Sequence, residues 1–359
     1  MRSLGLNLTV PLLVLTTLGI SAPAIAATPR ILEATGRVLL KRSGWSDYHP
    51  TSVGTALYLD DLLLPDKDAK VVVLCPDWTK WRVPTDEPSS LNEGCQGKGI
   101  LTRPSNLVIT TTYGGNNPLI PYVISPRMTS VLTDKLVLRW NGVQGVTKYT
   151  VKLSSQDGAI WSQKVNGTQV VYPGKPPLKP GIAYSLVVEA ANGKSSQDEE
   201  TGGLQFNLLE PQQVQQVQKA VALLDQQGLP DEVKTLYLVE LYRDPDFNLL
   251  AEAIDTLEAS AAEGNQKPVV YRLLGDLYWQ IGLKLLAETH YLKAIDLAKS
   301  PMDLEERAAA EFGLGKLYAV TRNQSEASYW LKQALAEYKI LGDIKRVSDL
   351  EQRLDRLKY

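Results

Sequence analysis

The sequence predicts a multidomain β + α protein, with two small β modules followed by an all-α stack of helical repeats. Three observations predict it. Up to residue 209, short β-branched and apolar runs are divided by Gly, Pro, Asn and Asp. From Pro211 onward the composition turns to Gln, Leu, Ala, Glu and Lys, with apolar residues every three or four positions. Within that second region one pattern of large and small residues returns, which marks a repeat architecture. The 359 residues allow two to three domains at roughly 100–200 residues each.

Composition narrows the function. Hydrophobic residues make up 44% and charged residues 22%, as in ordinary globular proteins. The net charge is −2 and no basic run occurs, so nucleic acid is not an expected partner.

The first element in chain order is a leader over residues 1–26. Arg2 precedes the apolar run LGLNLTVPLLVLTTLGI, and Ala24-Ile25-Ala26 supplies a small-x-small ending. That is the pattern of a secretory signal peptide cleaved after Ala26. Its apolar core falls short of the roughly 20 residues needed to span a bilayer. The expectation is an exported protein, periplasmic or envelope-associated, with no stable membrane span after cleavage.

The first β module is expected over residues 28–115. RILEATGRVLLKR, SVGTALYLDDLLL and KVVVLCP read as strands, punctuated by Gly36, Gly44 and Gly54. GRVLLKR, the Gly54, Leu57, Asp60-Asp61-Leu62-Leu63 segment and KVVVLCPD resemble the FecR-like domain of bacterial envelope proteins. That family's pattern is a glycine-led strand, a G-x-x-L-x-x-G-D turn and a hydrophobic strand. Asp60 stands where the family usually has glycine. The likeness covers residues 33–85 best and implies a small β structure outside the cytoplasm.

Cys75 and Cys95 are the two cysteines. An even number in an exported chain predicts a disulfide. A metal pair would need further ligands, and His49 and His290 lie in different regions. Asp60-Asp61 and Asp66-x-Asp68 lack the regular spacing of a calcium loop and are expected to be solvated loop carboxylates. No metal and no cofactor is implied.

The second β module is expected over residues 122–209. KLVLRWNGV, KYTVKLSSQ, AIWSQKVN, QVVYPG and IAYSLVVEAAN have the strand spacing of a sandwich. Leu138-Arg-Trp140 with Tyr149-Thr-Val151, and the segment LKPGIAYSLVVEA, resemble fibronectin type III and related Ig-like modules. That resemblance implies that the Tyr184 hydroxyl ties the chain back on itself. Trp140 and Trp161 are expected in core packing, with a sugar-stacking platform as the functional alternative.

The helical region is expected over residues 211–359. PQQVQQVQKAVALLDQQG reads as a first helix stopped at Gly228. Tyr271, Leu274, Gly275, Tyr278, Gly282, Ala287, Tyr291 and Ala294 fall at the spacings of the tetratricopeptide motif, which this region resembles. Leu314, Gly315, Tyr318, Ala327, Leu331 and Ala334 form the next copy. Gly275 and Gly315 stand 40 residues apart, longer than the usual repeat of about 34, and the surplus is expected in the second helix of the earlier unit and its turn. A weaker copy holds Leu238, Val239 and Tyr242. ILGDIKRVSDLEQRLDRLKY is expected as a polar-faced capping helix.

No catalytic constellation is present. Two histidines far apart give no Ser-His-Asp or Cys-His set, and no H-E-x-x-H, phosphate-binding loop or G-x-S-x-G occurs. The expectation is a non-enzymatic extracytoplasmic scaffold whose helical groove takes a protein or peptide partner. A polysaccharide bound by the β modules is the alternative. The resemblance places partner-binding residues beside the packing positions of each first helix: Arg272, Asp276, Trp279, Lys316, Glu240 and Arg243. Trp279 is expected there as an apolar anchor, with capping of the seam between units as the alternative.

Overall fold

The structure, a computed structural model, describes residues 28–96, 103, 114–199 and 205–357. The leader expected over residues 1–26 lies outside the described residues. The N-terminal module comprises β1 (Arg30–Thr35), β2 (Val38–Lys41), β3 (His49–Pro50), β4 (Leu62–Pro65), β5 (Lys70–Leu74), β6 (Lys80–Arg82), β7 (Ser89–Ser90) and the one-turn helix α1 (Leu91–Gly94). Its strands form two sheets, ordered β1-β5-β6 and β3-β2-β4-β7. Alternating burial along β2 and β4 gives each strand one core face. Ile31, Val38, Leu40, Leu63, Val71 and Val73 share the core between the sheets. Cys75 and Cys95 close that core as a disulfide. Asp60 takes φ +67°, a left-handed conformation that favours glycine. Asp61, expected to be solvated, is instead buried. It accepts from Arg42 Nη1 at 2.7 Å and from Tyr58 N at 3.0 Å, because the turn folds it under the module.

The middle module is a two-sheet sandwich of β8 (Val123–Ser125), β9 (Thr129–Val131), β10 (Val137–Trp140), β11 (Lys148–Ser155), β12 (Gly158–Asn166), β13 (Gln169–Val171), β14 (Ala183–Ala190) and β15 (Gln205–Leu208). The sheets are ordered β13-β10-β8 and β12-β11-β14-β15-β9, with β15 and β9 parallel and the other pairs antiparallel. Trp140 and Tyr149 stand on different sheets and meet edge to face across the core, 5.6 Å between ring centres. The Tyr184 hydroxyl accepts from Lys179 N at 2.7 Å and donates to Lys179 O at 3.3 Å, tying the preceding turn to β14.

The helices are α2 (Pro211–Gln226), α3 (Asp231–Tyr242), α4 (Leu250–Ala262), α5 (Pro268–Gln280), α6 (Lys284–Leu297), α7 (Leu304–Val320), α8 (Gln324–Ile340) and α9 (Ile344–Arg356). Each packs on the next, and α5 also packs on α7, the contact of successive hairpins. Gly282 follows α5 at φ +77°, where a side chain would be strained, and turns the chain into α6. The surplus length of the 40-residue spacing lies in the expected turn, capped at Pro301–Asp303, but not in α6; the rest forms a 17-residue α7, against 13 residues in α5. Ser300 and Asp303 cap that turn, and Pro301 lacks the N–H that would continue α6. The capping segment is also shorter than expected: Ile340 still belongs to α8, and the last helix begins at Ile344.

The modules are bonded to the helical stack. The sandwich docks on the turns of the middle helices: Arg127 Nε donates to Ile281 O at 2.8 Å, and Ser130 N donates to Asn248 O at 2.8 Å. Arg139 pairs with Asp255 and Glu258 of α4 at 2.7 and 2.6 Å. The N-terminal module lies over the face formed by α2, α3, α5 and α7.

Candidate functional site

A cavity of about 1530 Å³ lies between that helical face and the N-terminal module. Residues of α2, α3, α5 and α7 form its floor and Arg30, Arg42, Trp45 and Pro50–Tyr58 its cover. First helices of successive hairpins expose one face together because a helix returns to the same side every three or four residues. Glu240 and Arg243, Arg272 and Asp276, and Glu305 and Glu306 reach the cavity in this way from α3, its end, α5 and α7.

These groups are electrostatically arranged before anything binds. Arg272 Nη1 pairs with Asp276 Oδ2 at 2.6 Å, and its Nε donates to Glu306. Burial works against the Arg272 charge, but Glu306 and Asp276 outweigh it and raise the guanidinium's pKa. Asp276 is buried and also accepts from the Tyr291 hydroxyl at 2.8 Å. Glu240 accepts from Thr28 N at 3.2 Å and from Arg30 Nη2 at 3.0 Å. At the far end Glu305 receives Arg42 at 2.8 Å and Arg103 at 2.7 Å. Burial alone would raise the Glu305 carboxyl; the two guanidiniums reverse this and hold it at about 2.

Four of the six expected partner-binding residues, Glu240, Arg243, Arg272 and Asp276, therefore line one cavity, while Trp279 and Lys316 do not. Trp279 is 3% exposed, in the same buried cluster as Ile120 and Tyr122 from the segment leading into the sandwich. At that burial Trp279 presents no surface to a partner. Lys316 is half-buried with its Nζ 4.8 Å from the Phe312 ring centre. Burial lowers its pKa to about 8; Asp276 opposes this, and Arg353, Arg346 and Arg272 add to it.

The residues expected to pack the repeats occupy the seams. Leu274, Tyr278, Ala287, Tyr291, Ala294, Leu314, Ala327, Leu331 and Ala334 are buried. A Cβ on Gly275 would lie 2.5 Å from the Tyr291 ring, and one on Gly315 2.5 Å from Leu331. Tyr271 is half-buried and stacks on His290, while Tyr318 donates its hydroxyl to Glu288 at 2.5 Å. Trp140 is buried and forms no sugar platform, while Trp161 is half-buried and meets Tyr172 in a T-shaped pair. Among the described residues no cluster of three or more His, Cys, Asp or Glu side chains could hold a metal, and no helix is long and apolar enough to cross a membrane.

Sequence reading missed the cover. Arg30, Arg42 and Trp45 meet partners 210 to 298 residues away, and no local pattern announces such contacts.

No protein family matches the sequence, and no curated protein does. Among solved structures, BtubC from P. vanneervenii is similar at 18% identity and a TM-score of 0.30, over 41% of this chain and 75% of that one. MamA is similar at 17% identity and a TM-score of 0.29, over 40% and 86%. A beta-1,2-glucanase from Parabacteroides distasonis is aligned over 92% of this chain and 59% of its own, at 8% identity and a TM-score of 0.22. At such scores these likenesses decide nothing about function.

Proposed function

We propose that the chain is a non-enzymatic, extracytoplasmic scaffold that takes a protein or peptide segment into the covered groove of a tetratricopeptide-type stack. The observation that carries this reading is the cavity itself. It is about 1530 Å³ and is lined from α3, α5 and α7 by both cations and carboxylates together with apolar Leu236, Leu273 and Phe312. Both charge signs in one wall suit the amides and mixed side chains of a polypeptide. The N-terminal module is read as FecR-like and the sandwich as fibronectin-like. The Cys75–Cys95 bond and the leader pattern of residues 1–26 support an exported, envelope-associated location.

The test is binding of the processed chain to an array of synthetic peptides, with purified peptidoglycan and polysaccharide alongside. Arg243→Ala is the informative variant, since Arg243 lines the cavity at the end of α3. Loss of one charge-assisted hydrogen bond should weaken peptide binding by about tenfold or more. A chain that retains only glycan, or holds its peptides equally well after Arg243→Ala, sinks the groove as the binding site.

A further inference from the structure

The N-terminal module meets the helical stack at two ends, and the two contacts differ in chemistry. At the near end, Leu32, Val72 and Leu74 share a buried apolar cluster with Leu224, Val233 and Tyr237 of α2 and α3. At the far end the turn from Arg42 to Ser46 reaches α7, α8 and α9, and β3 packs against the Pro301–Asp303 turn that precedes α7. Trp45 is buried among Leu304, Phe312 and Tyr338. Its Nε1 donates to Asp343 Oδ2 at 3.1 Å, and Ser46 N donates to Gly342 O at 3.1 Å. The guanidinium carbons of Arg42 and Arg103 stand 5.6 and 5.7 Å from the Trp45 ring centre.

Parting the near contact would expose continuous apolar surface to water, a loss that nothing replaces. Parting the far contact releases one aromatic side chain, the short β3 contact with the Pro301–Asp303 turn and several polar groups that water can satisfy. Arg42 bonds Asp61 of its own module at 2.7 Å, so release does not strand its charge without a partner. Gly342 fits the turn closely: a Cβ there would lie 2.0 Å from Ser46 Oγ and 2.9 Å from its backbone N.

We propose that the N-terminal module is a hinged cover, fixed at α2 and α3 and released at the Trp45 turn, whose opening widens the mouth of the cavity. Its use for ligand entry rests on the reading of the cavity as a binding site; the hinge does not.

Spin labels on Asp47→Cys and Ser348→Cys, both exposed and on opposite sides of the Trp45 contact, report the opening with the native disulfide intact. Pulsed dipolar spectroscopy of the otherwise unaltered chain should give one short distance, with a longer-distance population below about 10%. Trp45→Ala should raise the ratio of long to short distance by at least about tenfold. Gly342→Ala, which wedges the contact from the other side, should move it the same way. Helical circular dichroism separates opening from unfolding. The cover is refuted if both variants keep the single short distance, or if the long distance arises only together with loss of helical signal. No ligand enters this measurement, so a moving cover on a chain that binds no peptide would refute the proposed function and leave the hinge standing.

Discussion

Tyr291 is held from two helices by the absence of side chains. A Cβ on Gly275 of α5 would lie 2.5 Å from its Cδ1, and one on Gly313 of α7 2.5 Å from its Cζ. The ring therefore fills a slot that only glycines leave open, and its hydroxyl donates to buried Asp276. Gly275→Ala and Gly313→Ala should each overpack the slot and cost about 1–3 kcal/mol, read as a lower midpoint in denaturant; an unchanged midpoint would mean the ring has room to move. Gly275 was legible because it sits at a motif position. Gly313 was not, because the ring it accommodates comes from the preceding hairpin. Arg272→Ala strips a buried carboxylate of its cation and should lower stability as well as binding. Glu311 gives the same lesson through pH. It is buried, and burial, then the neighbouring Glu337, raise its carboxyl from 4.5 to about 7 despite Arg307. A raised carboxyl favours the fold most below its unfolded pKa, and that advantage fades as pH rises through 7. Glu311→Gln should therefore stabilise by about 1–3 kcal/mol at pH 8 and change little at pH 4. Equal effects at both pH values would place the Glu311 charge in water.

At the scale of elements, the helical hairpins were legible because their signal is local: small residues at fixed spacing and glycines between helices. The shared feature of what was misread is dependence on a neighbour. The surplus in the 40-residue spacing went to the expected turn, capped by Ser300 and Asp303, and beyond it to α7, which grows along α8 and α5, rather than to α6. Strand runs in the sandwich were readable one by one, but the parallel pairing of β9 with β15 joins residues about 77 apart, such as Ser130 and Asn207. The disulfide lies between these cases, since its two cysteines had no competitors. It closes a loop of 20 residues from the end of β5 to the cap of α1. Cys75→Ser with Cys95→Ser should destabilise the N-terminal module by roughly 3 kcal/mol in the chain-entropy picture. Thiol labelling of the unfolded, unreduced wild type should find no free thiol, and quantitative labelling would contradict the bond.

For the whole molecule, the question is whether three modules behave as one. The sandwich is bound to the helices through buried groups rather than a flexible linker. Arg127 sits between β8 and β9, fully buried. It donates Nε to Ile281 O at 2.8 Å and Nη1 to Glu199 Oε2 at 2.7 Å, where Glu199 is 2% exposed. Glu199 in turn accepts from Gly115 N at 2.6 Å, and Gly114 N donates to Gly282 O at 2.8 Å, next to Ile281 at the α5–α6 turn. Sandwich and stack thus share one hydrogen-bonded junction, and the N-terminal module is bonded to the stack at both ends. No such coupling could be read from sequence, because each partner is an ordinary residue until folding brings it more than 70 positions along the chain. The expectation is a single cooperative thermal transition for the intact chain. Arg127→Ala leaves Glu199 buried without its cation and frees the Ile281 carbonyl, a loss of about 3–5 kcal/mol concentrated at the junction. Calorimetry should then show a lower and divided transition, with the sandwich melting apart from the helices. Arg127→Lys keeps the charge but lacks the fork that serves both acceptors, and should fall between. If the wild type already melts in separate steps, or Arg127→Ala melts as the wild type does, the junction does not couple the modules.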